Sequence, residues 1–294
     1  MQTSVTTPLG FNQWDDNEPM KYEMFSADNT LSNELFDRTL LTPETAALFE
    51  VISQTPGANE VLQAIAALLA SKVNGINITA PINIYVDKSG NDTTGDGSES
   101  KPFLTIGKAV QHCQNNLFGG HSKSIIIGDG TYAENIDVRG LDTIEFTSKS
   151  ANANNVIIEG TVNLQRCAYT TLNQLTIRIS NGTSGTSVVY LLGGSHNITN
   201  CKIINTGAVK PGYAVNCAAG TMFAHTTEIN NMTRGLCAIN GGYISATGIS
   251  GSGNDTAFYS YLGMLLVGGT NTIAATTMYG KSTGGVIFAN GVMV

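Results

Sequence analysis

Past residue 120 the chain is written in short runs of alternating apolar and polar positions: 124–127, 143–146, 156–158, 175–179, 188–192 and 197–204. A period of two in stretches rich in β-branched residues predicts strands half-buried against a core. The last part of the chain also folds onto itself. Residues 213–220 (YAVNCAAG) align with 235–242 (GLCAINGG), then with 257–263 (AFYSYLG) and 285–291 (GVIFANG). A repeat in the twenties suits one coil of a parallel β-helix, whose coils are stable only when stacked. Each block ends in Gly, where a sharp bend between faces calls for positive φ. The pattern therefore predicts an all-β chain, a right-handed single-stranded parallel β-helix (solenoid). The last four residues, Gly291 to Val294, read as a further strand with no terminal cap.

Upstream the period changes. Residues 82–86 alternate as a strand, residues 87–101 form a turn-rich loop, and Phe103, Ile106, Ala109 and Val110 share one helical face. That spacing predicts a helix near 103–112 lying over the open end of the stack, where apolar core and backbone edges need cover. Earlier still, Thr42-Pro43-Glu44 is a helix start, with an N-cap, a proline at the first helical position and an acid in the first turn. A second helix runs from about Asn59 through Val61, Leu62, Ile65, Leu68, Leu69 and Val73 to Asn74-Gly75. Its spacing of three and four fits a bundle or short coiled coil on a symmetry axis, and equally packing against the preceding helix. Residues 1–40 have weak periodicity. Their aromatics, among them Trp14, Phe25 and Phe36, sit among acids and are the candidates for docking on another subunit. Two parts follow: residues 1–80, an arm with helices for attachment and trimerisation, and residues 81–294, the β-helix with its capping helix.

Composition narrows the function. Charged residues are only 13 % of the 294 and glycines number 33, while apolar residues make up 41 %. Low charge with many small polar residues suits solenoid turns, and the apolar content excludes wholesale disorder. The net charge of −7 resides entirely in residues 1–50, where nine acids face Lys21 and Arg38. The rest of the chain is balanced and lacks a basic patch, so phosphate-mediated nucleic-acid binding has no support. Five cysteines (113, 167, 201, 217, 237) show no paired spacing and read as buried free thiols. No secretory leader and no membrane-length apolar run is present, which leads us to expect folding in a reducing cytoplasm and no membrane insertion.

Candidate chemistry is sparse. Glycoside hydrolysis needs two carboxylates flanking the bond, yet beyond Arg166 the chain holds only Glu228 and Asp255. Together with Glu159 these are the candidate catalytic residues, and the block alignment places Asp255 in a turn after Gly251-Ser-Gly-Asn. Arg166, Arg178 and Arg234 have no acidic cluster beside them. His196 and His225 are the histidines placed to face a groove, although a lone solenoid histidine is ordinarily hydrogen-bonded or exposed. Asp129, Glu134 and Asp137 form the densest acidic group and read as a turn and a solvated strand. Asp87, Ser89 and Asn91 begin like a calcium loop, but Asp92 stands where that loop needs Gly and no Glu closes it. No metal site and no cofactor is expected. Tyr259 and Tyr261 share a strand face opposite to Phe258 and are the candidates for stacking on a glycan.

Tyr85-Val86-Asp87, Gly90-Asn91-Asp92, Asp96-Gly97, Pro102-Phe103, Thr105-Ile106 and Ala109 resemble the entry signature of right-handed parallel β-helix proteins of the pectin-lyase-like superfamily, a form common in phage tail spikes and fibres. The segment from Leu40 to Gln63 also resembles N-terminal regions of tail-fibre proteins from phages and prophages of gut bacteria. The resemblance implies a homotrimeric virion component that contacts other tail or baseplate proteins through its N-terminus and recognises a host-surface glycan. It also implies an alternative: a tail-spike depolymerase with a carboxylate pair across a subunit boundary.

Overall fold

The structure, a computed structural model, describes Val5–Thr6, Asn12–Gln13 and residues 76–77, 79–118 and 120–294. The chain divides into two compact units, 1–75 and 76–294. In the first, Val5–Thr6 pairs antiparallel with Asn12–Gln13; Trp14, Phe25, Phe36 and the two helices expected between residues 42 and 75 lie outside the described residues.

The second unit is a parallel β-helix. Each coil carries three strands that face a common core. On the first face the coils begin at Lys123, Thr143, Tyr169, Ser195, Thr221, Tyr243, Met264 and Val286, preceded by the edge strand Ile82–Val86. Every strand there pairs in parallel with the same face of the neighbouring coil. Right-handed winding is the sense that strand–crossover–parallel-strand connections take. The second face runs from Gly130–Tyr132 to Glu228–Asn230, and the third from Ile136–Arg139 to Arg234–Ile239. In the last two full coils these faces fuse into the single long strands Ser250–Tyr261 and Thr272–Ser282.

Stacking in register turns each inward position into a ladder. On the second face Tyr132, Ile158, Ile177, Ile203 and Ile229 lie in line, all buried. On the first face Ile84, Ile125, Phe146, Leu172 and Ile198 do the same. β-Branched chains fill such columns well because each packs on its counterpart one coil away.

The period is not constant, and loops explain why. Thr143, Tyr169, Ser195 and Thr221 are successive partners at one long interval, whereas Tyr243 and Met264 follow at shorter ones. The longer coils carry excursions at 149–155, 180–186 and 206–212 that the later coils lack. This corrects the sequence alignment in two places. Tyr213 pairs with Arg234 and not with Gly235, so the second block stands one position out of step. Residues 285–291 belong to the first face, where Val286 pairs with Met264; the true successor of Thr256 is Thr277.

Of the block-ending glycines, Gly291 takes the positive φ expected of it (82°), but Gly220, Gly242 and Gly263 serve a different purpose. At those three the left-handed residue is the one before: Ala219 (φ 49°), Gly241 (φ 84°) and Leu262 (φ 51°). Gly220, Gly242 and Gly263 stack with Gly194 and Gly285 at the corner entering the first face. A Cβ there would strike backbone of the preceding coil, such as the Cys217 carbonyl oxygen at Gly242. Close approach selects glycine throughout this column, and only at Gly194 (φ 76°) does a left-handed backbone add to it.

The entry segment closes the N-terminal end. Phe103 N–H donates to Tyr85 O, Tyr85 N–H donates to Gly97 O, and Asn91 N–H donates to Pro102 O. Asp92 accepts from the Leu104 and Thr105 amides and the Thr105 hydroxyl. Because Phe103 is held extended against Val86, helix α1 starts later than its apolar spacing suggests, at Ile106–Asn116 with Thr105 as N-cap. Glu134, from the first coil, accepts hydrogen bonds from the Ile106 and Gly107 amides and so pins the helix N-terminus to the stack. Ile106, Ala109, Val110 and Cys113 are buried in the same core. At the other end, Val292–Met293 turns back antiparallel onto Val286–Ala289, covering the first-face edge that the sequence reading leaves open.

Replacing Gly242 by Ala should lower stability by about 1–3 kcal/mol through overpacking, and Ile229→Ala by about 2–5 kcal/mol through a cavity. Urea unfolding of both variants checks this; two unchanged midpoints would contradict the stacked ladders.

Candidate functional site

The buried polar groups are structural. His196 lies in the inward column between Thr170 and Met222, and is therefore in the core rather than in a groove. Its Nε2 faces the Gly193 carbonyl oxygen at 2.6 Å and its Nδ1 meets the Thr170 hydroxyl at 2.7 Å. A carbonyl oxygen only accepts, so Nε2 carries the proton and the Thr170 hydroxyl donates to Nδ1. Burial pushes the His196 pKa below its ordinary 6.5. All five cysteines are free and buried, and desolvation pushes four of them, Cys113, Cys201, Cys217 and Cys237, up to about 12.

The acidic candidates are engaged. Asp87 accepts from the Ser89 hydroxyl and amide, which hold its carboxyl below the usual range. Asn91 accepts from the Thr93 and Thr94 amides. Among the described residues no group of three metal-ligating side chains occurs. Asp129 accepts from Asn155, and Asp137 pairs with Arg139 at 2.9 Å.

The three candidate catalytic carboxylates each face a cation. Glu159 meets Arg178 at 3.4 Å, Glu228 meets Lys202 at 2.9 Å, and Asp255 pairs with Lys210. The Lys202 ammonium, followed by the Asn230 amide, holds the Glu228 carboxyl below its ordinary value, the opposite of what a general acid needs. Glu159 and Glu228 are three strands apart on the second face. At a strand spacing of about 4.8 Å that is about 14 Å, beyond the roughly 9.5 Å within which two carboxylates share a glycosidic bond. Asp255 lies inside the long strand Ser250–Tyr261, beside an irregularity at Gly251–Asn254, rather than in a turn.

A different constellation appears on the outside of the third face. Register places Tyr213, Arg234, Thr256 and Thr277 in one column, and Tyr190, Asn216, Cys237, Tyr259 and Gly280 in the next outward column. The Arg234 guanidinium carbon sits 4.5 Å from the centre of the Tyr259 ring and 5.3 Å from that of Tyr213. Tyr259 is fixed from its far side. Its hydroxyl is 2.8 Å from the Ser282 hydroxyl, and a Cβ at Gly280 would come within 2.9 Å of its ring. Tyr261, also outward, is 36 % exposed, while Phe258 points inward and stacks on Tyr279. Asn216 is only 6 % exposed; its amide donates to the Ser187 hydroxyl, and its Oδ1 has no partner.

Tyr259 is visible in the sequence from strand alternation, but Arg234, Tyr213 and Asn216 are not. The signal that finds them is the pairing of position 213 with 234; the block alignment sets Gly235 over Tyr213 and hides the arginine. Among the described residues two hollows lie elsewhere. One, of about 450 Å³, lies beside Leu266 and Phe288 on the first face. The other, of about 370 Å³, is lined by Glu134, Asn135, Glu159 and Thr161. The second owes its carboxylates to the helix cap and the Arg178 pair already described.

Comparison with protein-family models, with curated proteins and with solved structures gave no match.

Because the folded-state pKa of His196 is depressed, its neutral form contributes stability fully above pH 6.5, and that contribution falls as the pH drops below it. Unfolding free energies from urea titrations between pH 7.5 and 5 should decline with a slope of at most about 1.4 kcal/mol per pH unit from this group. The double variant Thr170→Val/His196→Met should be flatter over that window. An identical slope in the variant would contradict the assignment.

Proposed function

We propose that this chain is a structural and receptor-binding component of a phage tail or phage-like particle, a tail fibre or tail spike of the pectin-lyase-like superfamily. In this reading it attaches to other tail or baseplate proteins through residues 1–80 and presents the solenoid, as a homotrimer, to a glycan on the host surface. It assembles in the host cytoplasm and resides in the virion.

The observation that carries the reading is the long parallel solenoid whose outward third-face columns, through Tyr213 and Tyr259, hold tyrosines and no acid. Three further features support it. The residues of the entry signature are the ones that tie the first edge strand to the helix. Acidic charge is concentrated in residues 1–50, upstream of the coils in sequence. The candidate carboxylates are bound in ion pairs, which favours recognition over cleavage.

Sedimentation equilibrium should return about three times the 30.9 kDa chain mass; a clean monomer would remove the trimer. Deleting residues 1–80 should leave far-ultraviolet β signal intact and abolish incorporation into particles. Incorporation of the truncated chain would refute the attachment role. Release of reducing ends or unsaturated sugars from host polysaccharide, lost in Glu228→Gln/Asp255→Asn, would replace the binding reading with a depolymerase.

A further inference from the structure

We propose that the third-face patch centred on Arg234 is a subsite for a carboxylate-bearing saccharide. Arg234 takes the carboxylate, and the Tyr213 and Tyr259 rings flank it. The saccharide part rests on the surface-recognition reading above; the anion part rests on the geometry alone.

Five other cations of the solenoid, Arg139, Lys149, Arg178, Lys202 and Lys210, each meet a carboxylate, and Arg166, which meets none, is exposed. Arg234 is half-buried, and among the described residues its side chain makes neither a hydrogen bond nor an ion pair. Its contacts are the two tyrosine rings. Rings packed over the guanidinium carbon fix the side chain while leaving its in-plane N–H donors without acceptors. A preorganised planar fork of this kind matches the two oxygens of a carboxylate.

The surroundings favour an anion. From Arg166 to Val294 there are six Lys and Arg but only Glu228 and Asp255 as acidic side chains, and both acids are neutralised by their own lysines. The columns through Arg234 and Tyr259 contain no acid. A guanidinium here acts on an incoming charge without local competition.

The tyrosine rings beside the guanidinium give the anion a saccharide context. A uronic or sialic acid unit combines a carboxylate for Arg234 with an apolar C–H face for a tyrosine ring. Sulfate or phosphate meets only the first need.

The test uses the full-length chain, titrated by calorimetry with an oligogalacturonate, an oligosialic acid, the methyl-esterified oligogalacturonate and sodium sulfate. At least one acidic oligosaccharide should bind, with saturation-transfer signals from its ring protons, and its neutral ester at least tenfold more weakly. Arg234→Gln should weaken binding at least tenfold, with Arg234→Lys falling between. Gly280→Ala, which displaces the Tyr259 ring but keeps the charge, should weaken it several-fold. Binding of the acidic sugars that is absent or indifferent to Arg234→Gln, or equal affinity for the ester, overturns the proposal; sulfate binding alone overturns its saccharide part. The two readings fail separately. Arg234-dependent binding by a chain that never enters particles refutes the tail assignment and leaves the subsite standing. A chain that enters particles yet ignores acidic saccharides does the reverse.

Discussion

Everything in the second unit depends on hydrogen bonding between successive coils in parallel register. Each strand satisfies its backbone only by lying against the same face of the coil before and after it, so every side chain is locked above its counterpart. That constraint makes the isoleucine columns of the second face, the glycine column at the corner entering the first, and the Arg234–Tyr259 contact on the third. It also explains why a coil length that changes along the stack does no harm. Excursions such as 180–186 and 206–212 leave the core between faces and return without shifting the ladder. Only the ends escape the rule, and each has its own remedy. Helix α1, pinned by Glu134 and Asp92, covers the first coil. The Val292–Met293 hairpin covers one edge of the last.

The strands themselves were legible because alternation is a local property. Ile125, Ile127, Ile144 and Phe146 announce their burial to anyone reading in twos, and the structure buries all four. Coil length was legible only where loops are short. Between Tyr213 and Thr256 the chain has almost no excursion, so the repeat shows. Before that, the loops at 149–155, 180–186 and 206–212 break the spacing and conceal earlier coils of the same kind. Even in the clear region a slip by one position passes unnoticed, because small residues at Ala214, Gly235 and Ala257 tolerate alignment either way. In a strand such a slip exchanges inside for outside. It was enough to hide Arg234 behind Gly235.

The polar residues were least legible, since their meaning lies in partners far away in sequence. Glu134 resembles a solvated acid until helix α1 is seen to start on it, and His196 resembles a groove residue until the column through Thr170 and Met222 is drawn. Glu159, Glu228 and Asp255 are candidates for chemistry as isolated letters; Arg178, Lys202 and Lys210 turn them into surface ion pairs, worth little individually to stability. Arg234 runs the other way. It is held between the Tyr213 and Tyr259 rings with its donors unused, and the proposed subsite rests on that geometry.

Register is the claim to test first. Asn197 is the strand partner of Phe223, and Phe223 is that of Ser245, at two different separations along the chain. All three lie on the outer first face, where partners in adjacent strands come within about 5 Å, inside the span of a disulfide. Under mild oxidation Asn197→Cys/Phe223→Cys and Phe223→Cys/Ser245→Cys should each cross-link within one chain, while the buried native thiols stay inert. The account is contradicted if neither pair cross-links and Phe223→Cys instead couples to a cysteine placed at a different offset.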